Sequence, residues 1–294
     1  MYRGSSDMEA RLIQIARASK YALPANLTAK IRQCTGPEEK RILDLNTITL
    51  EREGAHVVAQ FLNEVHVAEF NINDCFLQDN EIKLLCIALK ESQYLTTVKM
   101  CRNNITRVGI TAVADLLKAR QSIQSLDICW NHIESGTLFS ALSNHSGLQH
   151  LDIHSSDLQP DAFASLGAAL RNNRSLQTID IRTNHAGIQG GNALVEGLRQ
   201  NETVLRLLVE GNDMGIDTEH EIELLCQRNQ TIQQRTAELL ARIELLQREN
   251  DRLRKEFSLT QNELEGRYMQ ERDEKDEVNR ELHQRLADIE REGE

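Results

Sequence analysis

"SIQSLDICWNHI", residues 122–133, is the stretch that decides the fold of this chain. Its apolar residues fall at Ile123, Leu126, Ile128 and Ile133, with Asn131 set before the last of them. The same spacing recurs on both sides. Upstream it reads Leu95, Val98, Met100, Asn103, Ile105, and before that Val67, Phe70, Ile72, Cys75, Leu77, with Cys in the Asn slot. Downstream it reads Leu148, Leu151, Ile153, Ser156, Leu158, then Leu176, Ile179, Ile181, Asn184, Ala186, then Val204, Leu207, Val209, Asn212, Met214. A degenerate first unit keeps Leu43, Leu45 and Leu50 and has Ile48 where Asn is expected. The first strand positions are 43, 70, 98, 126, 151, 179 and 207, in steps of 27, 28, 28, 25, 28 and 28.

Each apolar-x-apolar step has the period of a strand and predicts a short one with its apolar side chains inward. The Asn side chain can bond backbone that turns away from any ladder partner. The segments between strands, such as "TAVADLLKAR", "AFASLGAALRNN" and "NALVEGLRQN", carry apolar residues at helical spacing. Units of about 28 residues with a full helix stack into a curved α/β horseshoe, parallel strands on the concave side and helices on the convex side. A doubly wound sheet does not keep so constant a period. The 25-residue step falls at "IESGTLFSALSNHSG", where the helix is expected to be shorter or partly irregular. The expected divisions are a helical N-terminal segment over 1–40, about seven repeats over 41–228 and a coiled-coil tail over 229–294. In the first, "DMEARLIQIARASKYAL" reads as one amphipathic helix offering Leu12, Ile15 and Leu23, broken by "CTGPEEK". It is either a cover for the first repeat or a docking arm.

The period changes after about Asn229. Leu225, Ile232, Leu239, Leu246 and Leu253 are seven apart, and Ile243, Asn250, Phe257 and Leu264 form the alternate seam. This is a heptad pattern with a polar Asn250 at an otherwise apolar position, a device that sets register and favours a parallel pair. Beyond Leu264 the seam shifts by about four residues to Tyr268, Val278, Leu282 and Ile289, a stutter that locally unwinds a supercoil. The tail is either a solvated single helix or half of a pairing with itself or with a partner helix.

Composition narrows the function. The formal charge is −11, which disfavours nucleic acid and anionic membrane as partners. No stretch has signal-peptide character or transmembrane length, and the six cysteines include no CxxC, so free thiols in a cytoplasmic protein are expected. No P-loop, GxGxxG, HExxH or GxSxG occurs, and no enzyme activity or cofactor is expected. "GIQGG" at 187–191 lacks a following Lys-Ser/Thr and reads as packing.

The concave face can be read as two ladders. Between the strand's apolar residues lie Asp44, Asn71, Lys99, Asp127, Asp152, Asp180 and Leu208; after the second lie Asn46, Asn73, Cys101, Cys129, His154, Arg182 and Glu210. The acidic run is either a partner-binding stripe or a solvated face. Cys101, Cys129 and His154 are consecutive in the second ladder, but the outer two are two strand spacings apart, roughly 10 Å, which is long for zinc. No metal is expected. Trp130, the only tryptophan, occupies a slot that is Thr47, Asp74, Arg102, Ser155, Thr183 and Gly211 in the other units. It is either a binding hot spot or a cover over the shortened repeat. The candidate partner-binding set is Asn71, Asn73, Lys99, Asp127, Cys129, Trp130, Asp152, His154, Asp180 and Arg182.

On these motifs the repeats resemble the ribonuclease-inhibitor-type leucine-rich repeat family. "SIQSLDICWN" and "LQTIDIRTNHAGIQGGNALVEGLRQNETVLRLLVEGND", followed by a coil, resemble the branch that contains a centrosomal and basal-body scaffold. The units are also similar to tropomodulin's actin-capping domain, although the order of parts differs. The resemblance implies a non-enzymatic adaptor at a centriole, basal body or axoneme, with a protein on its concave face. An actin-filament regulator and an acidic-faced inhibitor of a basic enzyme are the alternatives.

Overall fold

A computed structural model describes the backbone of residues 5–292 and the side chains of 7–285; Ile289 lies outside the latter. The head is an α/β array around one parallel sheet. Its strands are β1 (Ile42–Asp44), β2 (Glu69–Asn71), β3 (Thr97–Lys99), β4 (Ser125–Asp127), β5 (His150–Asp152), β6 (Thr178–Asp180) and β7 (Arg206–Leu208), in sheet order identical to chain order. Register runs straight across: Asp44, Asn71, Lys99, Asp127, Asp152, Asp180 and Leu208 are successive partners. Each strand has only three residues. The connecting helices are α3 (Arg52–Leu62), α4 (Asp79–Leu89), α5 (Gly109–Ala119), α6 (Thr137–Leu142), α7 (Pro160–Asn172) and α8 (Gly187–Arg199), each packed on the next. The 25-residue step holds the six-residue α6.

The repeat's apolar letters are its core. Leu126, Ile128 and Ile133 are buried, as are Val98, Met100, Ile105, Leu151, Ile153, Leu158, Ile179 and Ile181. Phe61, Phe70, Phe139 and Phe163 fill the space under the helices. Burial of this apolar surface is the main stabilising term, roughly 25 cal/mol per Å². Helices α7 and α8 approach closely because Gly167 and Gly197 face each other. A Cβ on Gly197 would lie 2.3 Å from the Gly167 carbonyl oxygen. In "GIQGG", Gly190 lies against Phe163, where a Cβ would come within 2.9 Å.

The N-terminal segment is two helices rather than the single one expected. They are α1 (Ser5–Ala18) and α2 (Ala25–Gln33), separated at Pro24, which sits just ahead of α2 with extended backbone. Met8, Leu12 and Ile15 of α1 and Leu27 and Ile31 of α2 are buried against the first repeat, and Leu23 packs at the margin. Arg32 clasps Glu9 with two bonds of 2.6 Å, tying the helices together.

The last helix, α9 (Ile216–Glu292), is continuous for 77 residues. By contacts the chain divides at Gln233–Gln234. The part of α9 before that division belongs to the head: Ile222, Cys226 and Asn229 are buried, and Leu225 packs on the core. Leu225 is therefore a core contact and not part of a coil seam. The part after it is a helix of roughly 90 Å at 1.5 Å per residue, solvent-exposed over residues 234–285. Leu239, Ile243, Leu246, Leu253, Phe257 and Leu264 are all exposed along it, as is Asn250. No helix among the described residues is long and apolar enough to cross a membrane.

Candidate functional site: the strand face and its exit turn

The exit from each strand is built by three recurring devices. The first is a buried amide ladder. Asn131 Nδ2 donates to the carbonyls of Met100, Ile128 and Cys129, and its Oδ1 accepts the Ile105 N–H. Asn103, one unit upstream, and Asn184, two units downstream, repeat this pattern. Where the slot is Cys75 or Ser156, the thiol or hydroxyl donates to the equivalent carbonyls. Backbone that turns out of a sheet would otherwise leave these groups dry and unpaired, at about 1–3 kcal/mol each. This ladder, spanning the sheet one period at a time, identifies the architecture. The head has the architecture of a leucine-rich repeat array.

The second device explains the acidic stripe of this leucine-rich repeat array. Asp44, Asn71, Asp127, Asp152 and Asp180 each accept, at Oδ1, the N–H of the residue two places on. Asp or Asn recurs there because the strand ends and that N–H needs an acceptor. The third device is a left-handed residue at the next position. Thr47, Asp74, Arg102, Trp130, Ser155, Thr183 and Gly211 all have φ between 52° and 74°. Six of the seven are not glycine, and left-handed backbone costs such residues roughly 1–2 kcal/mol. The N–H of each non-glycine residue in turn donates to the next rung, as from Trp130 to the His154 carbonyl at 3.0 Å.

Trp130 is 50% exposed. The Arg102 guanidinium lies 5.1 Å from its ring centroid, and the His154 ring meets it edge-on at 6.0 Å. Arg102 is absent from the sequence-derived set, although it occupies the same slot one period earlier. His154 Nδ1 is 2.6 Å from Asp152 Oδ1. Lys99 pairs with Glu69 at 2.6 Å, and Asn71 and Asn73 lie half-buried at the other side of the face. Asp180 is nearly buried and held by Arg182, with 2.6 Å between Nη2 and Oδ2. Burial opposes its ionisation, but the hydrogen bonds and charge of Arg182 outweigh it and hold the carboxyl below the usual range. Asp127 is the opposite case: burial, then the Asp152 charge, push it up to about 6. Cys129 is buried, so neither it nor Asp180 offers much surface to a partner.

One expectation about cysteine is corrected. Cys101 and Cys129 sit on adjacent rungs, Cα atoms 4.7 Å apart, with sulfurs in disulfide contact, so not all six thiols are free. They are 28 residues apart, one repeat period, which is the signal that a search for CxxC overlooks. Cys101, Asp127 and Cys129 form a triad with ligand atoms within 4.8 Å of one another, and Cys129, Asp152 and His154 form another. The remaining thiols are buried. Burial pushes Cys75 and Cys86 up to about 12, and Cys34 and Cys226 up to about 11, as for inert core thiols.

A second ladder, unforeseen from the sequence, runs along the helix ends at a spacing of 28: His145, Asn173, Asn201 and Asn229. Asn173 Nδ2 donates to the Leu142 and His145 carbonyls while Oδ1 accepts the Ser175 and Leu176 N–H groups. Asn201 repeats this, and His145 does the same with its two ring nitrogens. Asn229 Nδ2 reaches the Val204 carbonyl, and Arg228 binds the carbonyls of Leu198 and Asn201. The start of α9 is thus the helix of a further repeat that does not stop.

No family model matches the chain. It is similar to Leucine-rich repeat-containing protein 45 of Gallus gallus, at 30% identity over 122 residues, which cover 40% of this chain and 18% of that protein. NACHT, LRR and PYD domains-containing protein 13 of Homo sapiens is 29% identical over 94 residues, covering 32% and 9%. The match therefore spans less than a fifth of either relative's length. Among solved structures, Leiomodin-1 Actin-Binding Site 2 superposes with a TM-score of 0.43 at 15% identity, covering 65% of this chain and 97% of that one. The Caenorhabditis elegans tropomodulin C-terminal domain gives 0.43 at 16%, covering 62% and 98%.

Proposed function

We propose that this protein is a non-enzymatic scaffold whose strand face captures a protein and whose tail pairs with another helix. The observation that carries the reading is Trp130. A large aromatic held half-exposed in a left-handed slot, flanked by Arg102 and His154, has the makings of a binding anchor. The tail supports the second half. Leu239, Ile243, Leu246, Leu253, Phe257 and Leu264 recur at heptad spacing and are exposed in the single chain. The cytoskeletal setting, at a centriole, basal body or axoneme, rests on the leucine-rich repeat head followed by a heptad tail and on the similarity to Leucine-rich repeat-containing protein 45.

Tagged full-length chain and its Trp130→Ala variant, expressed in ciliated cells, test this reading. Concentration of the parent at one of these structures, with weakened recruitment of the variant at equal protein level, is the expected result. A diffuse signal for the parent, or co-sedimentation with purified actin filaments, would overturn the assignment.

A further inference from the structure

We propose that Cys101, Cys129 and Asp127 form a binding site for a zinc-class divalent cation on the strand face. The three come from two adjacent rungs. Asp127 is the last residue of β4, Cys129 follows it by two, and Cys101 holds the slot of Cys129 one repeat earlier. Their ligand atoms lie within 4.8 Å of one another, and the Cys101 sulfur touches Asp127 Oδ1. Both cysteines are buried and Asp127 is half-buried, so water can compensate little of the charge of two thiolates and a carboxylate. Lys99, on the rung before Asp127, is already paired with Glu69 at 2.6 Å. Soft sulfur ligands joined by a carboxylate suit zinc, which takes four ligands in a tetrahedron.

The fourth position has a candidate on the next rung. Cys129 is shared with the second triad, which brings a His154 ring nitrogen within 4.8 Å of its sulfur. Its Nδ1 is engaged by Asp152 at 2.6 Å, the carboxylate–histidine arrangement that orients an imidazole toward a metal. The His154 ring also meets Trp130, which places the ion beside the proposed anchor. The disulfide and the metal site are alternative states of the same sulfurs. A cellular dithiol reduces Cys101–Cys129 to two thiols and is itself oxidised to a disulfide. The cation then displaces the two thiol protons.

The test uses the full chain, reduced with a phosphine, freed of metal and titrated with Co²⁺ and then Zn²⁺. The expected result is thiolate-to-cobalt charge transfer with the visible bands of a four-coordinate ion, bleached by zinc. Cys101→Ser and Cys129→Ser should abolish the charge transfer. His154→Ala should weaken binding about 10–100-fold, and Cys86→Ser, in the core, should leave the spectrum unchanged. Melting curves in chelator check that each variant is folded, and zinc should raise the melting temperature of the parent but not of Cys129→Ser. The proposal is overturned by a cobalt spectrum that survives Cys129→Ser, by no sulfur charge transfer in the folded reduced parent, or by a disulfide that resists the phosphine.

Discussion

At the scale of single residues, recurring letters in this chain answer recurring backbone needs. Asn131 closes four hydrogen bonds in a dry site. Asn131→Ala should cost about 2–4 kcal/mol in a denaturant titration, because several buried groups lose their partner together. Trp130 offers a cleaner separation. Its slot is left-handed, and Gly211 fills the same slot in the last unit. Trp130→Gly should therefore be more stable than Trp130→Ala by about 1 kcal/mol, while both weaken partner binding. Equal or reversed stabilities would show that backbone strain is not what distinguishes this slot. Asp180 sets a pH dependence. Its folded pKa lies below the unfolded value, so its stabilisation is present above about pH 4 and is lost as pH falls through the folded value. The stability gap between the parent and Asp180→Asn should be wide at neutral pH and close in acid.

At the scale of elements, the head was largely legible from the sequence. Two inward apolar residues, repeated seven times and followed in four of the units by an Asn, leave few other folds, and the short α6 follows from the short step. What was missed depends on which rungs become neighbours. Arg102 meets Trp130, and Cys101 meets Cys129, because each pair is one period apart. The helix-end ladder of His145, Asn173, Asn201 and Asn229 has the same spacing but no apolar pattern to advertise it. The start of α9 was misread for a related reason. Leu225 continues a seven-residue spacing, yet it packs on the head, and Asn229 continues the 28-residue one. Truncation after Gln233 should accordingly leave the head's melting temperature unchanged. Truncation after Gly215 should lower it by several degrees on the order expected for a lost terminal helix. A head that melts equally in both would refute the capping role of residues 216–233.

At the scale of the whole molecule, the exposed heptads after Gln233 predict a property that the isolated chain does not contain. Light scattering should give the parent twice the mass of one chain, and truncation after Gln233 should halve it. Asn250→Leu should stabilise the assembly and relax its oligomeric state, since a polar residue at that position trades stability for register. An unchanged mass on truncation would remove self-association.

The sequence by itself determined the repeat, its register and the helical tail, because these follow from periodicity, a property of neighbours along the chain. The tertiary structure alone decided which acids are structural, which thiols converge, that Trp130 stands in a strained exposed turn, and where the last repeat gives way to the free helix. Those depend on residues one period apart being brought within a strand spacing, so that charge, burial and hydrogen bonding act across rungs.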